Sequence, residues 1–320
     1  MNELKKIFKK ENLSFISSLL FGGFRLLLLL GISYIVLFPV LEIISTALTL
    51  PEDFLGGNVE WIPSDPTFTN FSNVLLYFDY VKHAWATVKI SVGSTVIQLV
   101  VASLVGYGLA RYRFKGNTIV FIAVIFTIIV PIQTIQIPAY IYYRHFDFFG
   151  FGRLGAIVTK EPYTVNLLNT SWSYYVPAMF GVGLNSGLFI FLFRQFFSGM
   201  PKDLEDAGRV DGCNPLMVFV RIMVPNVKPV FVTVALLSTI YYWNDFMLAN
   251  MFMGAAKKTP LMMALYRLNS MNVGSMEVDT AQFIVEKHAA LLMTIAPLMI
   301  VFLICQKFFV ECMDRSGIKG

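Results

Sequence analysis

Long apolar runs alternate with short polar segments along this chain. Spanning the hydrocarbon layer of a bilayer takes roughly 20 apolar residues in a helix, and the runs predict an all-α membrane protein with six transmembrane helices. These helices are expected near 24–48, 84–110, 117–142, 175–198, 229–253 and 288–310. The same pattern divides the chain into a basic leader (1–23), a transmembrane domain (24–310) and a short polar tail (311–320).

Composition supports the membrane setting. Hydrophobic residues make up 56% of the chain, charged residues only 14%, and the mean hydropathy is +0.66, whereas soluble domains carry about 25% charged residues. The net charge of +5 does not indicate nucleic-acid binding, because the cations form short clusters beside apolar runs instead of one continuous face.

The placement of lysine and arginine predicts the orientation, because short cytoplasmic loops are enriched in them. The leader is basic, while residues 50–80 contain acidic side chains and no lysine or arginine. Basic residues return at 111–115, within 194–228 and in the tail. We therefore expect a multi-pass protein of the cell membrane with both termini in the cytoplasm.

A polar segment, residues 200–229, separates two apolar runs and is expected to protrude into the cytoplasm. Acidic residues after Pro201 favour a helix N-terminus, and Gly212 is suited to a left-handed helix end. Asn214 followed by Pro215 has the form of a cap and first position of a second helix. The segment therefore predicts a helix, a tight turn and a helix, an arrangement suited to docking.

The same segment resembles the EAA loop of ABC importer permeases. The family pattern is Glu-Ala-Ala, three residues, Gly, nine residues and Ile-x-Leu-Pro, and this chain keeps that spacing. Three identities differ, since Asp206 replaces Glu, Gly208 replaces the second Ala, and Val224 replaces Leu. The positions that the resemblance implies for ATPase coupling are Asp206, Ala207, Gly208, Gly212, Ile222 and Pro225.

The resemblance extends to the second-permease branch of the carbohydrate importers, represented by the smaller permease of maltose transporters. Residues 106–116 are similar to the Ala-Arg, Phe-x-Gly signature of that branch, residues 243–246 to its Trp-Asn motif, and the Gly-Ile-Lys-Gly ending, 317–320, to its tail. The implied fold is that of a type I ABC importer permease.

The resemblance also implies partners. A second permease would complete the pore, two ATPase subunits would bind ATP and Mg²⁺, and an external solute-binding protein would deliver a carbohydrate, with an oligosaccharide expected. A helix at 203–212 would seat in the ATPase. No cofactor is expected on this chain, which lacks a phosphate-binding loop motif and would not be an enzyme by itself.

Substrate contacts are expected among polar and aromatic side chains inside the membrane. The candidates for the pathway are Gln133, Gln136, Tyr242, Trp243, Asn244 and Asp245, with Gln98 as a further polar position. Each could instead pack or hydrogen-bond within the bundle. Lys89 is expected to reach the outer interface or to attract an acidic sugar. The three histidines flank different helices, so no metal site is expected.

Two alternatives remain at this stage. The substrate could be an amino acid or peptide, which the Trp243-Asn244 segment and the chain ending disfavour. The chain could also be a self-sufficient secondary transporter, which would need internal repeats or an intramembrane carboxylate relay. Neither feature is evident, and such a protein would not require a cytoplasmic docking segment such as residues 200–229.

Overall fold

The computed structural model describes residues 2–55, 63, 65–148, 150, 152, 163–272 and 280–316. The described part is predominantly helical, as an all-α protein requires. Its helices are α1 (Asn2–Leu48), α2 (Pro51–Leu55), α3 (Thr69–Tyr77), α4 (Tyr80–Arg111), α5 (Asn117–Ile129), α6 (Ile132–Arg144), α7 (Trp172–Met179), α8 (Ser186–Gly199), α9 (Asp203–Val210), α10 (Pro215–Asn226), α11 (Lys228–Trp243), α12 (Met247–Phe252), α13 (Leu261–Asn272) and α14 (Thr280–Ser316).

The chain forms two compact units. One comprises Met1–Leu76 with Met276–Met293, and the other Tyr77–Ser275 with Thr294–Gly320. In the first unit, the buried Asn70 side chain of α3 donates to the carbonyls of Ala47 and Thr49 at 2.9 and 2.8 Å. These bonds satisfy carbonyls at the C-terminal end of α1, where no further helical turn is present to donate N–H groups to them.

The second unit is built around α4, α8 and α11. Gly106 lets α4 approach α8 closely, because a Cβ atom at this position would meet Phe193 Cβ at 2.6 Å and the Arg194 backbone nitrogen at 3.0 Å. The fully buried rings of Phe189, Phe193 and Phe197 fill the core beside this contact. Small residues support close helix packing inside membranes in the same way.

Gln98 cross-links the helices of this unit. Its amide nitrogen donates to the Leu184 carbonyl and to Ser186 Oγ, both at 2.7 Å, and its Oε1 accepts from Ser238 Oγ at 2.7 Å. The side chain is 1% exposed, so its polar atoms are used by the bundle itself. This geometry supports the packing interpretation of Gln98 over a pathway role.

Three helices are long and apolar enough to cross a membrane within the described residues: Leu19–Leu48, Tyr80–Arg111 and Thr280–Phe308. Two bent pairs raise the number to five if each pair is one span. One pair joins Asn117–Ile129 to Ile132–Arg144 at 101°, and the other joins Pro215–Asn226 to Lys228–Trp243 at 81°. The structure thus contains three to five candidate spans, where the apolar runs predict six.

The breaks account for this difference. The run at 175–198 is divided between α7 and α8, and the run at 229–253 between α11 and α12. Pro131 lies at the break between α5 and α6, whereas Pro39, Pro138 and Pro297 lie inside helices that continue through them. These three helices continue because a helix can bear the loss of one backbone hydrogen bond.

Candidate functional site

The polar segment forms the helix, turn and helix that its residues predict. At the end of α9, Gly212 has φ +80°, its N–H donates to the Arg209 carbonyl at 3.0 Å, and the Cys213 N–H donates to the Gly208 carbonyl at 2.9 Å. This pair of bonds is a Schellman motif. Asn214 then caps α10 by accepting from the Met217 N–H at 2.8 Å.

The two helices of this docking loop (α9 and α10) meet at Gly208. A Cβ atom on Gly208 would collide with Ile222 Cδ1, and it would lie 3.4 Å from Val218 Cγ2. Gly208 replaces an alanine of the family pattern. The side chain of Ile222, another residue of that pattern, occupies the space that the alanine methyl group would take. Val218–Met223, which has π-helical geometry, is the part of α10 that packs against α9.

A buried ion pair holds α9 against the end of α4. Arg111 Nε donates to Glu205 Oε1 at 2.7 Å, and the side chains are only 6% and 8% exposed. Arg111 Nη2 also donates to the Pro201 carbonyl at 3.1 Å. The two sequence signatures, at 106–116 and in the docking loop, thus meet in one contact. The sequence did not single out Glu205 beyond its place in the first helical turn, although a buried arginine requires an acidic partner.

Asp206 and Ala207 lie on the exposed face of α9. The Asp206 side chain is 65% exposed and lies 3.6 Å from Arg209 Nη1. A groove of about 240 Å³ lies beside the Asp206 side chain. In addition to Asp206, five charged residues and one alanine line this groove. These are Ala110, Arg111, Arg113, Lys202, Glu205 and Arg209. Val210 and Leu216 are exposed on the same loop, so this surface combines charge with apolar contacts, as protein interfaces do.

The six pathway candidates do not form one site. Gln136 and Tyr242 line a common cavity of about 50 Å³, whereas Gln133 and Asn244 are exposed and do not line it. Ligand pockets typically measure about 300–1,000 Å³, so this cavity is far too small for a sugar ring. The Gln136 Nε2 atom is buried in it without a hydrogen-bond partner among the described residues, which suits a buried water site.

Asp245 and Trp243 make structural contacts. The Asp245 carboxylate accepts from Tyr174 Oη at 2.7 Å and from the N–H groups of Leu248 and Ala249 at 3.1 Å each, so it caps α12. Trp243 is buried, and its Nε1 donates to the Thr294 carbonyl at 3.2 Å. These contacts favour the packing interpretation of both residues, while a pathway role for the remaining candidates stays a prediction.

Two of the histidines also hold the fold. His83 Nδ1 lies 2.8 Å from the Thr259 carbonyl, and His288 Nδ1 lies 2.7 Å from the Ile284 carbonyl. Each ring therefore has a backbone partner, which gives both histidines a structural use.

The sequence matches the family described as binding-protein-dependent transport system inner membrane component over residues 98–315. This match covers more than half of the chain and includes the docking loop. The chain belongs to this family, and the resemblance predicted from the docking loop is confirmed.

Relatives of similar length match nearly the whole chain. The arabinooligosaccharides transport system permease protein AraQ of Bacillus subtilis is 27% identical over 295 residues, which cover 90% of this chain and 92% of that protein. The melibiose/raffinose/stachyose import permease protein MelC of the same organism is 28% identical, covering 88% and 91% respectively. Both relatives are thus carbohydrate transport permeases by name.

The fold also matches a solved structure. A chain of a bacterial ABC transporter involved in the import of the acidic polysaccharide alginate superposes with a TM-score of 0.70 and covers 92% of this chain and 98% of that one. The sequence identity is 22%, so this likeness establishes the fold, which is that of a type I importer permease.

Proposed function

We propose that this protein is one of two permease subunits of an ATP-driven importer of carbohydrates, with an oligosaccharide as substrate. Its family supports an inner-membrane transport role, and the relatives AraQ and MelC are named for oligosaccharide transport, MelC specifically for import. These names favour a carbohydrate over an amino acid or peptide. A second permease would supply the other half of the pore, and an external binding protein would deliver the sugar.

The observation that carries the coupling role is the buried Arg111–Glu205 pair. It fastens α9 to the C-terminal end of α4, the 32-residue helix at the centre of the second unit. An ATPase subunit that moves α9 would therefore move α4 with it as one body. In this proposal α9 is the coupling helix, and Asp206, Ala207 and Arg209 present its free face to the ATPase.

ATP hydrolysis would take place on two partner subunits, which bind ATP and Mg²⁺, while this chain carries no cofactor and catalyses no reaction by itself. The docking loop supports the presence of a separate ATPase subunit, because its exposed face offers charged and apolar contacts for another protein. A self-sufficient secondary transporter would have no use for such a loop.

We further propose six membrane crossings with both termini in the cytoplasm. Basic clusters at 111–115 and 194–228 belong on one side by the positive-inside rule, and two crossings are needed between them. The pair α5 and α6 supplies one, and α7 with α8 supplies the other across its break. With α1, α4, α14 and the pair α11 and α12, the crossings number six.

The test is purification of the tagged chain in mild detergent from its native membrane, followed by mass spectrometry and reconstitution. We expect a second permease, an ATPase and a solute-binding protein at fixed stoichiometry, and ATP-dependent uptake of an oligosaccharide when the binding protein is present. Transport by this chain alone, without ATP or partners, would overturn the proposal and favour a secondary transporter.

A further inference from the structure

A basic cleft lies at the N-terminal end of α4, at the opposite end of that helix from Arg111. It is formed by the first turns of α4, the segment that precedes α7 and the segment that follows α12, and its volume is about 450 Å³. Its lining residues include Trp85, Lys89, Thr170, Ser171, Lys257 and Lys258. This volume falls within the usual range for ligand sites, unlike the 50 Å³ cavity beside Tyr242.

The segment that carries two of these lysines is fixed at both ends. Before it, Asn169 Oδ1 accepts from the Ala255 N–H at 2.9 Å. After it, the Thr259 carbonyl lies 2.8 Å from His83 Nδ1, and the Leu261 N–H donates to Thr87 Oγ1 at 2.7 Å. The cleft is therefore a built feature of the second unit, with its walls tied to α4.

The charge of the cleft is one-sided. Three lysines line it and no aspartate or glutamate does, and none of the three forms an ion pair within the part of the chain that the structure describes. Nearby Lys82 differs, because it donates to Asp79 Oδ1 at 2.7 Å and holds the pKa of that carboxyl below its usual value. Ammonium groups that share one cleft without an acidic partner repel one another and attract an anion.

The side of the membrane on which these lysines lie also points to an anionic ligand. By the orientation proposed above, this end of α4 faces the outside, where short loops are depleted in lysine and arginine. Lysines concentrated on this side therefore act against the usual distribution, which a topological role does not explain. An anionic ligand arriving from outside does explain it.

We propose that this cleft binds the carboxylate groups of an acidic oligosaccharide, a chain containing uronate sugars, as it enters the transporter. Ammonium groups pair with carboxylates in charge-assisted hydrogen bonds, the 60% exposed Trp85 ring offers a face for an apolar sugar surface, and the Thr170 and Ser171 hydroxyls suit sugar hydroxyls. A concave site with an aromatic wall fits a sugar chain better than the flat acidic surface of a protein. The inference rests on the proposed function and specifies its substrate class.

The experiment uses the assembled importer in lipid nanodiscs without its binding protein. Binding of galacturonate, glucuronate and mannuronate trisaccharides is compared by saturation-transfer NMR titration with binding of a neutral galactose trisaccharide. We expect a uronate to bind the unmodified complex and to lose roughly tenfold or more in affinity in the K89Q/K257Q/K258Q variant. Binding should also weaken with added salt.

Two controls locate the effect. Lys82→Gln removes a nearby lysine that is already paired with Asp79, and it should leave uronate affinity unchanged. The K89R/K257R/K258R variant keeps the charges and should retain binding, so a loss confined to the glutamine variant supports the proposal. Correct assembly of each variant is checked by co-purification of the ATPase.

The results that would overturn the inference are distinct from failure of the proposed function. If no uronate binds while the importer with its binding protein still takes up a neutral oligosaccharide, the cleft assignment fails and the proposed function stands. If a uronate binds but the glutamine variant keeps the same uronate affinity, the three lysines do not hold the carboxylates and the inference fails. If no carbohydrate is transported under any condition, the proposed function fails, and the inference fails with it.

Discussion

Arg111 at the end of α4 and Glu205 in α9 form a 2.7 Å ion pair with both side chains more than nine-tenths buried. The residues are 94 positions apart in the sequence, so the pair joins two distant parts of the chain. One part is α4, the central helix of the second unit, and the other is α9, the helix proposed to contact the ATPase and move with it. A rigid joint at this place is what mechanical coupling requires.

Replacing one partner of this pair should be worse than replacing both. Arg111→Met removes the closer charge partner of the buried Glu205 carboxylate and leaves only Arg209, whose Nη2 lies 3.9 Å from Glu205 Oε2. Breaking a buried pair in this way typically costs up to about 3–5 kcal/mol, whereas removing both charges can be nearly neutral. We expect the single variant to lower the thermal unfolding temperature of the complex and to reduce transport. The R111M/E205M double variant should recover most of the stability.

The measurement is thermal unfolding of the purified complex alongside ATPase activity stimulated by the binding protein. Arg113→Met is the matched control, because Arg113 is exposed on the same segment. Stability that falls equally in the single and double variants would show that the pair is not the source of the effect.

Gly212 should tolerate asparagine but not valine. Its φ of +80° is a left-handed conformation that β-branched residues adopt at a cost of about 1–2 kcal/mol, while asparagine enters it more readily. No heavy atom lies within 4 Å of a Cβ placed there, so the cost is conformational and not steric. We expect Gly212→Val to insert in the membrane but to uncouple ATP hydrolysis from uptake.

The comparison is sugar uptake per ATP hydrolysed in proteoliposomes containing the valine or the asparagine variant. The asparagine variant should stay close to the unmodified importer. Normal coupling in the valine variant would count heavily against the assignment of the turn.

Asp206→Lys should weaken association with the ATPase without destabilising the permease. The side chain is 65% exposed, so its replacement carries little folding cost. Asp211→Lys changes the charge of the same loop by the same amount at another exposed position and serves as the control. ATPase recovered at full stoichiometry with the Asp206 variant would exclude a major contact at this residue.

The docking loop was predictable because its geometry is local. The Gly212 turn and the Asn214–Pro215 cap are decided by residues within one or two helical turns, and the structure has both. The Arg111–Glu205 pair was not predictable in the same way, since neither residue's sequence neighbours indicate which distant segment packs against it. The Gly-Ile-Lys-Gly ending, 317–320, lies outside the described residues.

The transmembrane segments show the same limit. Apolar content located the long helices α4 and α14 well, but it does not encode where a helix bends. The breaks at 180–185 and 244–246 lie inside the spans predicted at 175–198 and 229–253. Among the pathway candidates, Asp245 and Trp243 are polar or amphipathic groups whose partners, Tyr174 and Thr294, lie elsewhere in the chain. Residue type alone could not distinguish a structural hydrogen bond from a substrate contact.

Asp245→Ala should therefore reduce stability while leaving substrate affinity unchanged. The change removes the cap of α12, which is typically worth about 0.5–2 kcal/mol, and leaves the buried Tyr174 hydroxyl without its acceptor. Thermal unfolding of the complex measures the first effect, and the KM for uptake measures the second. Tyr174→Phe is the matched variant and should show a smaller loss. An unchanged unfolding temperature with a raised KM would instead place Asp245 in the pathway.

Gly208 and Ile222 should show strong energetic coupling. A methyl group on Gly208 would occupy the position of Ile222 Cδ1, so Gly208→Ala alone forces that side chain to shift, at a typical overpacking cost of about 1–3 kcal/mol. Ile222→Val removes the colliding atom at a cost of about 0.5–1.5 kcal/mol. In the G208A/I222V double variant the alanine methyl fills the space that Cδ1 leaves. We expect this variant to be more stable than the sum of the single changes predicts.

A double-mutant cycle on thermal unfolding, with ATPase co-purification as a second readout, measures the coupling. Additive effects would mean that α9 and α10 do not pack through these two residues, and the alanine of the family pattern would then fit here without adjustment.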